Sequence, residues 1–211
     1  MGGKGTFVPR SLEPGEACQF DWREDWAIID GVRTKLQVAH FKLSYRRAFF
    51  VRAYLLQTHG MLFDAHNHAF RVLGGVPRRG IYDNMRTAVD KVGRGKDRTV
   101  NARFLTMVSH YLYEAEFCNP AAGWEKGQVE KNVQDARHRL WQPVPQVGSL
   151  DALNIWLEDR CKALWQEIPH GIEPGSVADA WAEEVASLMP MGRAFDGRSE
   201  GHTSELQSRA Y

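Results

Sequence analysis

Composition alone announces no chemistry in this 211-residue chain, and several absences narrow what it can be. It has only three cysteines, Cys18, Cys118 and Cys161, and they are scattered without paired spacing. That excludes a zinc module or a disulfide framework and fits the reducing cytoplasm. No apolar run approaches the roughly 18 residues of a membrane-spanning helix, and the Gly/Lys start lacks the apolar stretch of a signal peptide. A soluble cytosolic protein is expected. An excess of either charge is also missing: the formal net charge is +1, so any claim of nucleic-acid binding has to rest on local clusters. There is no Ser/His/Asp nucleophile pattern and no phosphate-cradling glycine loop, which leaves a covalent hydrolase or an NTPase without support. His59, His66 and His68 lie close in sequence, but no cysteine or fourth ligand accompanies them to make a zinc site. What is present is a hydrophobic content of 43%, enough for one substantial domain with an appendage.

Residues 1–15 hold glycines and prolines with few apolar anchors and read as a flexible lead-in. From Glu16 to Asp30 a strand is expected, with Cys18, Phe20 and Trp22 on one side and Gln19, Asp21 and Arg23 on the other. Asp30-Gly31 is a hairpin turn, and two more strands follow, Lys35 to Leu43 and Ala48 to Leu55. Thr58 caps a helix from Met61 to Leu73 that Gly74-Gly75 stops. Gly80 to Asn84 is a short buried strand ending in a carboxylate. Residues 90–101 are glycine-rich and basic and read as a loop. A helix from Ala102 to Leu112 and a strand from Tyr113 to Cys118 come next. The expected class is α/β with a mixed sheet, three antiparallel strands and then alternating helices and strands.

Residues 124–141 form the next amphipathic helix, with Val129, Val133, Ala136 and Leu140 in one apolar stripe and Glu130 on its border. Prolines at 143 and 145 break it, which places the domain boundary near residue 145. Residues 146–192 then read as a helical extension. Ser149 caps a helix whose apolar side is Leu150, Leu153, Trp156, Leu157 and Leu164, and Val177 to Leu188 is another helix. Residues 193–211 read as a disordered tail, and from residue 199 the chain looks like a translated sequencing adaptor.

Asp21, Asp83 and Glu130 stand out because each lies beside core residues, where an unpaired carboxylate is costly. Hard divalent cations such as Mg²⁺ take carboxylate oxygens together with water and substrate phosphate. Three convergent carboxylates can hold two such ions about 3.5 to 4 Å apart for phosphodiester chemistry. Glu125 is the rival to Glu130, but five helical residues put it about 140° away. It complements the helix dipole instead.

Gln19-Phe20-Asp21-Trp22, Gly74-Gly75-Val76-Pro77-Arg78-Arg79 running into Tyr82-Asp83-Asn84, and Lys126-Gly127-Gln128-Val129-Glu130 resemble the catalytic core of the IstA-type insertion-sequence transposases. These belong to the DDE transposase/retroviral integrase superfamily, and the resemblance covers residues 15–192. It implies an RNase H-like fold with Asp21, Asp83 and Glu130 as catalytic metal ligands for Mg²⁺, or Mn²⁺ as a substitute. It further implies cleavage at transposon 3′ ends, strand transfer into target DNA, a homo-oligomer on DNA and an ATP-dependent helper protein as partner. Members also carry an N-terminal helix-turn-helix region and a small C-terminal domain. A catalytically silent DNA- or partner-binding fragment and a stand-alone RNase H-like nuclease are the alternative readings.

Arg78, Arg79, Lys126, Lys131, Arg137 and Lys96 are the candidate phosphate contacts, and as single residues they also read as ordinary surface charges. Lys91, Arg94 and Arg98 share the basic loop with Lys96. Asn84 either orients a ligand or caps the turn after Asp83. Trp22 and Trp124 read as core or site-wall residues.

Overall fold

The computed structural model describes residues 13–83, 88–92, 98–117, 139–172 and 174–197. Strands β1 (Ala17–Ile29), β2 (Val32–Leu43) and β3 (Phe49–Tyr54) form an antiparallel meander. The β1–β2 turn is set by Asp30 (φ 49°) and Gly31 (φ 76°), the two positive φ values that a type I′ hairpin requires. Helix α1 (His59–Leu73) starts at Thr58, whose side chain accepts from the Met61 N–H at 3.2 Å. It ends at Gly74 in the left-handed conformation, where a Cβ would stand 2.6 Å from Val185 Cγ2. Then come β4 (Arg79–Tyr82), β5 (Val89–Val92), β6 (Arg98–Val100), α2 (Ala102–Tyr111), β7 (Glu114–Phe117), β8 (Gln146–Val147), α3 (Leu150–Glu167) and α4 (Val177–Glu184).

Six of these strands make one mixed sheet in the order β3-β2-β1-β4-β7, with β8 parallel to the far end of β1 at Ile28 and Ile29. On one face Phe20 and Phe41 pack on His66 of α1, and Tyr82 packs on Phe104 of α2. The β3 edge belongs to α3. Asn154 accepts from the Ala53 N–H at 2.7 Å and donates to the Ala53 carbonyl at 3.0 Å, and the Trp165 indole donates to the Phe49 carbonyl at 2.8 Å. Side chains thus occupy backbone groups that an edge strand otherwise offers to another chain.

Four elements differ from expectation. Residues 90–101 are not simply a loop: β5 and β6 pair antiparallel. Strand β8 and helix α3 place residues after the prolines in the same sheet and the same core. On α3 the buried residues are Leu153, Asn154, Leu157, Cys161, Leu164 and Trp165, whereas Trp156 is exposed. Trp156 lies about 200° around the helix from Asn154, and Asn154 is the residue that must face β3. The expected tail begins later than residue 193. The Phe195 ring is buried, and its N–H donates to Asn67 Oδ1 at 3.1 Å and to the Tyr111 hydroxyl at 3.0 Å. Residues 198–211 lie outside the described residues, as do most of residues 124–141, of which 139–141 are helical.

Beneath the sheet centre runs a directional hydrogen-bond chain. The Leu62 carbonyl can only accept, so at 2.7 Å the His66 Nδ1 carries the proton, and Nε2 accepts from the Tyr82 hydroxyl at 2.9 Å. Tyr82 oxygen in turn accepts from the Tyr113 hydroxyl at 2.5 Å. Tyr82 folds back along its own strand over Gly80, where a Cβ would sit 2.6 Å from its hydroxyl oxygen. Burial of His66 is complete and pushes its imidazole down to about 4. Because the folded-state value lies below the free value near 6.5, the unfolded chain takes up the proton first as pH falls. The stability held by neutral His66 is therefore full above pH 6.5 and is lost toward pH 4, by about 3 kcal/mol. Urea unfolding of the wild type and of His66→Gln at pH 7 and pH 4 checks this: the stability gap between them is expected to shrink by about that amount.

Candidate active site

Strand β4 pairs in parallel with β1 only from Ala17↔Arg79 to Phe20↔Tyr82, and β8 joins the same side of β1 only at Ile28. The two strands part immediately after Phe20 and Tyr82. Asp21 and Asp83 are the next residue on each, just past the last paired positions of the two strands. On the other side of β1, His40 of β2 stands directly opposite Asp21, with Val51 of β3 beyond it. One row across the sheet thus reads Val51, His40, Asp21. Such a crevice beyond the carboxyl ends of parallel strands is where open α/β sheets hold ligands.

Both carboxylates reach water. Asp83 is exposed, and the Asp21 side chain keeps 46% of its accessible surface. Asp21 Oδ2 accepts from Arg23 Nε at 3.1 Å, a residue two positions on and therefore on the same face of β1. His40 is nearly buried. Lys42, opposite Gln19, is pushed down to about 8 by burial and by the neighbouring Arg47 charge. Glu130, the third expected ligand, lies outside the described residues, as do Glu125, Asn84, Lys96, Lys126, Lys131 and Arg137. Among the described residues no group of three or more His, Cys, Asp or Glu side chains converges on a metal position. The pair of carboxylates with a cation on one of them nevertheless has the donor chemistry that suits a hard divalent ion.

The other expected site residues separate into roles. Arg78 is exposed and reaches Glu13 only at 3.6 Å. Arg79 is the opposite case: its side chain is 12% exposed, Nη2 donates to Glu16 at 2.7 Å, and Nη1 bonds Glu116 on β7. Its guanidinium is consumed in tying β1, β4 and β7 together, so the phosphate contact expected of it has no free donor fork. His66 serves the core, and His68 reaches Asp64 at 3.5 Å. Trp22 packs edge-on against Phe20 and Tyr54, a core position on the face opposite Asp21. Arg23 and His40 were not singled out in the sequence. The signals were there: Arg23 follows Asp21 at the strand period, and the two-residue turn at Asp30-Gly31 fixes the register that sets His40 opposite Asp21.

No family model matches the chain. It is 73% identical over 195 residues to a transposase of Aminobacter aminovorans, covering 92% of this chain and 38% of that protein. It is 61% identical over 194 residues to the transposase for insertion sequences IS1326/IS1353 of Pseudomonas aeruginosa, with the same two coverages, 92% and 38%. The chain thus spans 38% of the length of each of these relatives. Among solved structures, the HTLV-2 integrase catalytic core domain in complex with magnesium, in its trimeric form, superposes with a TM-score of 0.58 at 15% identity. That match covers 81% of this chain and 99% of the integrase core. The fold is the RNase H-like fold of integrase catalytic cores.

The two neighbouring arginines give a direct check on this division of roles. Arg79→Ala is expected to cost about 1.5–3 kcal/mol by leaving two carboxylates without their partner, and Arg78→Ala less than about 0.5 kcal/mol. Urea-unfolding midpoints of the two variants measure both.

Proposed function

We propose that this chain is the catalytic core of an insertion-sequence transposase of the IstA type, a DDE enzyme that cleaves DNA at transposon 3′ ends and transfers them into target DNA. The observation that supports this reading is that Asp21 and Asp83 each follow the last paired residue of two neighbouring parallel strands, Phe20↔Tyr82, in a chain so similar to transposases. Asp21, Asp83 and Glu130 are the proposed ligands of Mg²⁺. When bound, the metal supplies charge that activates the attacking water or 3′-hydroxyl and stabilises the leaving oxygen of a phosphodiester.

The chain's own residues do the rest. The paired strands fix the two aspartates before any ligand arrives, so little ordering remains to be done at the moment of reaction. Both aspartates reach water, so a DNA backbone can approach them, which a closed core site would exclude. Arg78, Lys96, Lys126, Lys131 and Arg137 are proposed to hold phosphates, contacts that position DNA without reading its sequence. The ATP-dependent helper, a homo-oligomer assembled on DNA and action in the bacterial nucleoid belong to the same proposal, as properties of the longer protein that carries this core.

A nicking assay on supercoiled plasmid in Mn²⁺, with strand transfer of precleaved transposon ends as its second arm, tests the reading. Asp21→Ala, Asp83→Ala and Glu130→Gln are each expected to reduce both reactions to the level seen without metal. Activity that survives all three single changes removes the metal-site assignment. Salt-sensitive DNA binding without metal-dependent nicking assigns the chain a binding role instead, and nicking without joined products assigns a nuclease.

A further inference from the structure

We propose that Arg23 is a displaceable counter-ion of the metal site: it holds Asp21 while no cation is bound, yields the carboxylate to a divalent ion, and then turns to a DNA phosphate. The inference rests on the metal-site reading above and adds to it a residue that none of the motif positions includes.

The two arginines beside the site show what sort of contact this is. Arg79 engages carboxylates through both terminal nitrogens, with its side chain only 12% exposed. Arg23 donates to Asp21 through Nε alone at 3.1 Å, and the exposures are 26% for Arg23 and 46% for Asp21. The first is a two-armed clamp within the sheet. The second is a single bond at a wet rim, the kind of ion pair whose net strength is small and whose partner exchanges readily. Its terminal amino groups make no hydrogen bond among the described residues, so the face of the fork suited to phosphate oxygens stays available.

Charge then decides the order of events. A divalent cation on Asp21 and a guanidinium bonded to the same carboxylate are like charges within a few ångströms, and they repel. The ion is proposed to gain from Asp83 as well, whereas Arg23 bonds the Asp21 carboxylate. Once displaced, the Arg23 side chain remains on the same strand face, because residues 21 and 23 share it. It is therefore still beside the carboxylates when a DNA backbone enters. A purely structural pair on β1 has no reason to respond to metal.

Mn²⁺ titration of the chain by calorimetry, with Arg23→Gln, Arg23→Lys and Asp21→Asn, separates these cases. Arg23→Gln is expected to bind Mn²⁺ about threefold more tightly than the wild type, since the competing cation is gone, and Arg23→Lys to return toward wild-type affinity. In fluorescence anisotropy with a labelled DNA duplex, Arg23→Gln is expected to bind severalfold more weakly than the wild type in Ca²⁺ and equally in EDTA. Unchanged or weaker Mn²⁺ binding by Arg23→Gln overturns the counter-ion, provided Asp21→Asn abolishes binding. Equal duplex affinity in Ca²⁺ overturns the phosphate contact. A wild-type chain that binds no Mn²⁺, or an Asp21→Asn variant that binds it normally, removes the metal-site reading and this inference with it.

Discussion

The buried hydrogen bonds running from Tyr113 through Tyr82 and His66 to the Leu62 carbonyl are the constraint on which the rest of the arrangement depends. They link α1, β4 and Tyr113, the residue just before β7, and each polar atom in them is away from water. An unsatisfied buried polar group costs about 1–3 kcal/mol, so the chain holds only if all members keep their places together. Gly80 is part of it, because only a residue without a Cβ leaves room for the Tyr82 phenol to fold back. Tyr82 is the last residue of β4, and Asp83 is the next one. Fixing the phenol on one face therefore fixes where the carboxylate emerges on the other, by the alternation of strand side chains.

From that fixed end the sheet opens. Neighbouring parallel strands carry the two acids at the end of one backbone ladder, whose last pair is Phe20↔Tyr82. The electrostatic cost of carboxylates at the sheet is relieved by cations, and the structure uses arginine in two ways to do so. Arg79 neutralises Glu16 and Glu116 where the sheet must stay closed. Arg23 neutralises Asp21 where the sheet must stay open to a ligand. The same side chain is structural or exchangeable according to how many of its nitrogens are engaged and how much water reaches them.

Local signals carried much of this into the sequence. Asp30-Gly31, Thr58 and Gly74 are positions where one residue type meets one backbone demand, and all three do what their chemistry requires. The alternation along β1 placed Asp21 on the face opposite Phe20, and that face is where it stands. What was not legible depends on partners distant in sequence. β8 is a two-residue strand that exists because β1 offers it an edge. Asn154 is polar, so helical periodicity assigns it to the outside, yet its amide is needed by Ala53 at the sheet edge. His66 reads as a surface histidine until Tyr82 is placed next to it. Phe195 looked like the start of a tail because its acceptors, on Asn67 and Tyr111, lie far back along the chain.

The chemistry of His66 also bears on the acids across the strand. A charged imidazolium under the end of β4 would add a fixed positive charge behind Asp83 and lessen the field that draws a cation to the crevice. Burial instead holds the ring neutral at physiological pH, with its single proton committed to the Leu62 carbonyl. The core therefore contributes alignment without charge, and the positive charge at the site is left to groups that water reaches and that can move. Rigid neutral support on one face and solvated cations on the other suit the metal-dependent phosphodiester site proposed for this crevice. Its acids must be fixed in place before the ion arrives, and its counter-ions must be able to leave when it does.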